Sequence, residues 1–257
     1  MREYQTIKIN TKEPIATILF NGQGKLNILN TQMLKDFYNA IKYINNNYLS
    51  CNNRALIILG DQKGFIAGLD LNDLNPKNSD YLESLNMCRK AIRTLEYLPI
   101  PTIAAVNKYA LGGGLEIALA CDFIFSDNGA KFGFPEVNFG LIPGAGGTVL
   151  LPKKIGISKA KDLIYSGKII DCNEAKNIGL VDKIFLNGEL LESAKDYLKQ
   201  IIKHPRGGIA AAKKSIIKSN SDYEQRCFDK RLKNPSVKQK IKEYISFLRG
   251  KNNIMRE

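Results

Sequence analysis

Hydrophobic positions change their spacing along the chain, and the changes mark out elements. From Tyr4 to Phe20 apolar and polar residues partly alternate, with β-branched residues among them, which predicts opening strands; Gly22-Gln23-Gly24 then marks a turn. Between Thr31 and Tyr48 the residues Met33, Leu34, Phe37, Ile41 and Ile44 recur at helical spacing, and the unbroken run Ala55 to Leu59 reads as a buried strand. The rhythm returns as a helix around Tyr81 to Leu98, a strand Thr102 to Val106, a glycine-rich break, a short helix from about Gly113 and a strand Asp122 to Phe125. Sheet and helix alternate, so an α/β fold with buried strands is expected. Past Asn187 the strand signals stop. Glu189 to Lys203, Arg206 to Ser219 and Ser236 to Leu248 read as helices, the last with Ile241, Ile245 and Leu248 on one side.

Composition narrows this picture. A chain of 257 residues, 44% hydrophobic and 25% charged, has ordinary globular make-up and suits one catalytic domain with a smaller appendage. The five cysteines (Cys51, Cys88, Cys121, Cys172 and Cys227) are odd in number and never spaced C-x-x-C, so reduced thiols are expected and neither a disulfide framework nor a metal site. The single histidine, His204, stands beside Pro205 near a predicted helix end, which argues against histidine-based catalysis. No apolar run approaches the roughly 18 residues that cross a bilayer, and the opening MREYQTIKINTKEP lacks the apolar core of a secretion signal; a cytoplasmic location away from membranes is expected.

The formal charge of +13 is unevenly spread: Ile201 to Glu257 holds 15 Lys and Arg against 5 Asp and Glu, a net of ten. A basic end of this kind suits a phosphate-bearing ligand. Nucleic acid is the rival partner, although no basic motif interleaved with aromatics accompanies the charge. Neither G-x-G-x-x-G nor G-x-x-x-x-G-K-[ST] occurs, which argues against dinucleotide binding and nucleotide hydrolysis.

Candidate chemistry lies in three glycine-containing segments. The first, Gly64-Phe65-Ile66-Ala67-Gly68-Leu69-Asp70, follows a predicted strand. The second, Ala110-Leu111-Gly112-Gly113-Gly114-Leu115-Glu116, runs from a strand into an apolar helix, where glycine lets backbone amides approach a ligand and the helix dipole favours an anion or a developing oxyanion. The third, Phe132-Gly133-Phe134-Pro135-Glu136-Val137-Asn138, leads into a glycine-rich loop through Gly144. A carboxylate between an apolar stretch and such a loop is a candidate for a raised pKa, because desolvation disfavours its charge. Each segment also has a bland reading, as a plain turn, as close helix packing, or as a cap or ion-pair partner.

Taken together, GFIAGLDL, NKYALGGGLEIALACDFIF, FGFPEVNFGLIPGAGGTVLLPKKIG and SGKIIDCNEAKNIGLVDKIF resemble the signature blocks of the crotonase, or enoyl-CoA hydratase/isomerase, superfamily, in family order from about Lys25 to Phe185. The resemblance implies a spiral of strand-strand-helix turns over residues 1–188. A basic helical C-terminal region, 189–257, would then drive assembly into trimers or dimers of trimers. It implies an oxyanion hole from the backbone amides of Leu69 and Gly113, catalytic carboxyls at Glu116 and Glu136, and hydration of a 2-enoyl-CoA. Gly144 resembles the position that helps hold the water. Ala67, Gly68 and Asp70 resemble residues flanking the thioester, and Lys25 and Leu26 the loop that meets the CoA nucleotide. No cofactor is implied, since coenzyme A belongs to the substrate. Leu69 departs from the alanine common in mitochondrial-type hydratases, and Leu150 stands where arginine is often found; the first leaves the amide intact but bears on acyl-chain preference. Isomerisation of an enoyl-CoA by one carboxylate, and nucleic-acid binding on this fold, are the alternatives. The presence of both glutamates favours hydration, since one acid/base group would suffice for isomerisation.

Overall fold

The computed structural model describes residues 4–50, 52–73 and 81–254, and it divides into two compact units, 1–203 and 204–257. In the first unit a hairpin of β1 (Ile7–Asn10) and β2 (Ile15–Phe20) leads into α1 (Thr31–Asn47). Asn30 fixes the start of that helix, its side chain accepting from the Met33 amide, and the predicted apolar stripe faces inward: Met33, Leu34, Phe37, Ile41 and Ile44 are all buried. Then follow β3 (Ala55–Gly60), α2 (Tyr81–Glu96), β4 (Thr102–Val106), β5 (Tyr109–Leu111), α3 (Gly113–Leu119), β6 (Phe123–Asp127) and β7 (Lys131–Gly133). A 3-10 turn (Pro135–Phe139), α4 (Gly147–Ile155), α5 (Ile157–Ser166), β8 (Ile169–Asp171), α6 (Cys172–Asn177), β9 (Lys183–Phe185) and α7 (Leu190–Ile201) complete the unit.

The main sheet has the order β1-β2-β3-β4-β6-β9, parallel throughout except for the opening hairpin. Its central strands are apolar at successive positions because both faces are covered. Ile18, Phe20, Leu56, Ile58, Ala104 and Val106 point into the larger core, beneath α1, whereas Ile15, Ala55, Ile57, Ile103, Ala105 and Phe125 meet Leu190, Ala194 and Leu198 of α7. Helix α7 lies in the first unit, since its apolar stripe covers the outer face of the sheet, and the division between the two compact units falls after Lys203.

A smaller sheet, β5-β7-β8, carries the site. Two isolated parallel bridges, Leu29–Leu69 and Ile66–Ala110, extend it to the first glycine loop. The strands β5, β7, β8 and β9 were not foreseen from the pattern. Each has three residues, too few for a period of two to show.

The second unit consists of α8 (Arg206–Lys218), α9 (Ser221–Leu232) and α10 (Pro235–Ile254). Helix α9 was also unforeseen. None of its residues is buried, so no apolar stripe announces it, although Asn220 caps it by accepting from the Tyr223 amide at 2.9 Å and was a usable signal.

Candidate active site

The triple glycine performs two different steric tasks. Gly112 has φ +50°, and a Cβ there would lie 2.8 Å from Glu136 Oε1, so a side chain would both strain the backbone and displace the carboxyl. Gly114 lets the first turn of α3 sit against the first glycine loop, since its Cβ would fall 2.4 Å from the Ile66 carbonyl. Close packing therefore requires glycine at both positions. Between them stands Gly113, the first residue of α3. Among the described residues neither its amide nor that of Leu69 donates a hydrogen bond, and the Leu69 side chain lies 3.3 Å from where a Gly113 Cβ would be. Two undonated amides from segments more than forty residues apart thus border one space, held there by the Ile66–Ala110 bridge.

That space is an apolar cavity of about 540 Å³ bordered by Ala67, Gly68, Leu69, Gly113, Glu116, Glu136 and Gly144. Glu116, on α3, is 1% exposed, and its Oε1 accepts from the amides of Ala145 and Gly147, each at 2.8 Å. Burial raises its pKa; the amides of residues 145–147 and then the Arg89 charge work in the opposite direction, favouring the carboxylate. Glu136, on the 3-10 turn, is treated differently. Its Oε2 is buried without a hydrogen-bond partner, and its pKa is pushed up to about 7 by burial first and by the negative charge of Glu116 last, against its own amide. Burial thus raises both carboxyls, and they differ in hydrogen bonding: Glu116 accepts from two backbone amides, whereas Glu136 Oε2 has no partner.

The other candidates divide. Ala67, Gly68 and Gly144 border the cavity. Asp70 does not; its carboxylate accepts from the Asn72 amide at 2.9 Å, closing a turn, and its own amide donates to Leu29. Lys25 and Leu26 lie on the exposed loop after β2, outside the cavity lining. This loop is tied to the first glycine segment by buried Asn27, which donates to the Gly64 carbonyl at 2.8 Å and accepts at its own carbonyl from the Ala67 amide. Sequence reasoning missed the apolar wall, Leu71, Leu85, Phe139, Leu141 and Ile142, and also Arg89 on α2, whose Nε donates to the Gly144 carbonyl at 2.8 Å. Leu150, where an arginine was noted as missing, is buried and close to Gly146.

The profile for enoyl-CoA hydratase/isomerase matches residues 10–248. The chain belongs to this family. Among its relatives, a short-chain-enoyl-CoA hydratase of Clostridium acetobutylicum is 35% identical over 216 residues, 83% of this chain and 82% of that protein. A crotonyl-CoA hydratase of Syntrophomonas wolfei is 37% identical over 77% of this chain and 76% of its own. The crystal structure of an enoyl-CoA hydratase from Bacillus anthracis superposes with a TM-score of 0.85 at 30% identity, covering 94% of this chain and 96% of that one. The fold expected from the signature blocks is thus the family's fold. Among the described residues, no helix is long and apolar enough to cross a membrane.

Proposed function

We propose that this protein is an enoyl-CoA hydratase, adding water across the double bond of a 2-enoyl-CoA to give the 3-hydroxyacyl-CoA. The observation that carries the reading is the convergence of Glu116, Glu136 and the undonated amides of Leu69 and Gly113 on one apolar cavity. Hydration requires negative charge on the thioester oxygen to be stabilised as the enolate forms. Two preorganised amides serve that need, one such donor being worth roughly 10² to 10³ in rate. Glu116, supported as an anion by two amides, takes a proton from water as its oxygen bonds to the β-carbon. Glu136, favoured in its protonated form, delivers its proton to the α-carbon. The reaction ends with one proton on Glu116 and none on Glu136, and exchange within the pair resets the site.

Gly144 sits beside the water in this reading, Ala67, Gly68 and Asp70 along the thioester, and Lys25 and Leu26 toward the nucleotide of CoA. The addition is redox-neutral acid/base chemistry, so the enzyme needs no cofactor of its own. The relatives' names support a short-chain substrate class. We also assign the cytosol as its compartment and a homotrimer or hexamer as its working form. The second unit supports assembly, since Ile216, Phe228 and Tyr244 are 77%, 65% and 62% exposed. The test is turnover of crotonyl-CoA, followed as loss of the conjugated absorbance, beside a 3-enoyl-CoA of equal length. Faster consumption of the 3-enoyl substrate would make the protein an isomerase.

A further inference from the structure

The Gly144–Ala145 peptide has a charged group at each of its ends. Its carbonyl oxygen accepts from Arg89 Nε at 2.8 Å, and its amide donates to Glu116 Oε1 at 2.8 Å. A guanidinium and a carboxylate are therefore joined through one peptide group, and each charge-assisted hydrogen bond polarises that group in the sense that strengthens the other. The same oxygen of Glu116 also accepts from Gly147 at 2.8 Å, so its place is set by a loop that Arg89 grips from the opposite side. Arg89 borders the cavity as well, with Nη2 at 3.9 Å from where a Gly144 Cβ would be.

We infer that Arg89 is a positioning residue for Glu116, holding and polarising the one peptide group that links them. This inference deepens the hydratase reading and rests on it for its kinetic half only. The groups that face Glu116 are Cys88 and Arg89 from α2, Glu136 from the 3-10 turn, and the backbone amides of the 145–147 loop at the start of α4. Of these side chains only Arg89 is cationic. Cys88 is buried, and desolvation together with the Glu116 charge holds it as a neutral thiol, so it supplies no competing charge. Glu136 adds repulsion when ionised. Removing Arg89 therefore takes away the one positive side chain and loosens the loop that presents two amides. Both changes make Glu116 harder to ionise.

The experiment uses the full chain as wild type, Arg89→Met, Arg89→Lys and Arg89→Gln. Carbon-13 NMR titration of protein labelled at the glutamate carboxyl carbons gives a readout that needs no turnover, with Glu116→Gln identifying the resonance. In Arg89→Met the Glu116 titration is expected at higher pH than in wild type. Arg89→Lys retains the cation without the planar fork and is expected in between. Arg89→Gln, a neutral donor of similar reach, replaces Arg89→Met should that variant lose its circular dichroism. For crotonyl-CoA, Arg89→Met is expected to lower kcat about tenfold with KM nearly constant, and to move the acid limb of kcat to higher pH. An unmoved Glu116 titration in the folded variant overturns the inference. A rise in KM at constant kcat also overturns it, because Arg89 would then be a binding residue. A wild type that titrates as expected but hydrates no enoyl-CoA refutes the hydratase reading and leaves the link between Arg89 and Glu116 standing.

Discussion

The two units handle apolar surface in opposite ways. In residues 4–203 the large side chains close on each other. Phe20, Phe37 and Phe65 form a contiguous aromatic group, with ring centroids 5.2 and 6.0 Å apart, and both faces of the main sheet are covered. From His204 onward, Lys213 is the one described residue that is buried, and an open groove of about 1300 Å³ is bordered by Ile209, Ile216, Phe228, Ile241 and Tyr244. Charge divides along the same line, with 14 Lys and Arg against 5 Asp and Glu from His204 onward, a net of nine. A site that shifts the pKa of its carboxyls by desolvation needs an apolar, largely buried surround, and the first unit provides it. An open apolar groove on a basic helical unit instead suits contact with another copy of the chain and attraction of anions.

The most damaging test of that contrast falls in the first unit. Glu116→Gln and Glu136→Gln are each expected to lower hydration of crotonyl-CoA by roughly 10²-fold or more with the fold intact, as loss of a positioned acid or base should. Near-wild-type turnover by either variant would show that this cavity is not where the chemistry occurs. Next in size is assembly. Light scattering is expected to give a trimer or hexamer for the wild type, and Ile241→Asp with Ile245→Asp is expected to break it down. A wild-type mass near the monomer's 28.7 kDa at micromolar concentration would leave the groove without its proposed occupant.

A smaller effect follows from the titration of Glu136. Its pKa is raised in the folded protein, so folding favours the protonated form, and stability is lost as pH rises from the ordinary carboxyl range through about 7. Glu136→Gln should therefore gain melting temperature relative to wild type between pH 4 and pH 9, with most of the gain complete by pH 8. As the acid of the reaction, Glu136 should also make wild-type kcat fall above about pH 7. A flat difference in melting temperature would mean that burial leaves this carboxyl unperturbed.

The smallest effect belongs to the basic unit. Neutralising Lys238, Lys240 and Lys242 together is expected to raise KM for the CoA substrate a few-fold at low ionic strength, with kcat constant and the rise fading as salt is added. A large fall in kcat with assembly intact would show that the two units do not divide the work as described.

What could be read in advance follows the length of the local signal. Helix α1 begins within its predicted range because an Asn cap and five correctly spaced apolar residues agree, and β4 has the predicted bounds because five buried positions run without interruption. Both glutamates were found because glycine-rich segments flank them in sequence. Arg89 and the apolar wall had no such marker. Nothing in the stretch around Arg89 records that its guanidinium will meet a carbonyl 55 positions later.

The sequence alone therefore determined the alternation of elements, the basic end and the two candidate carboxyls, since each depends on neighbours a few residues away. Only the tertiary structure decided that Glu116 accepts from two backbone amides while Glu136 Oε2 is buried without a partner. Glu116 and Glu136 are the same residue type, each beside glycines, and their difference lies in which backbone amides reach them. The pairing of segments more than forty residues apart also decided that the Leu69 and Gly113 amides border one cavity, and the apolar cover of α7 decided where the first unit ends. Desolvation and hydrogen bonding act through space, and the order of residues along the chain does not set them.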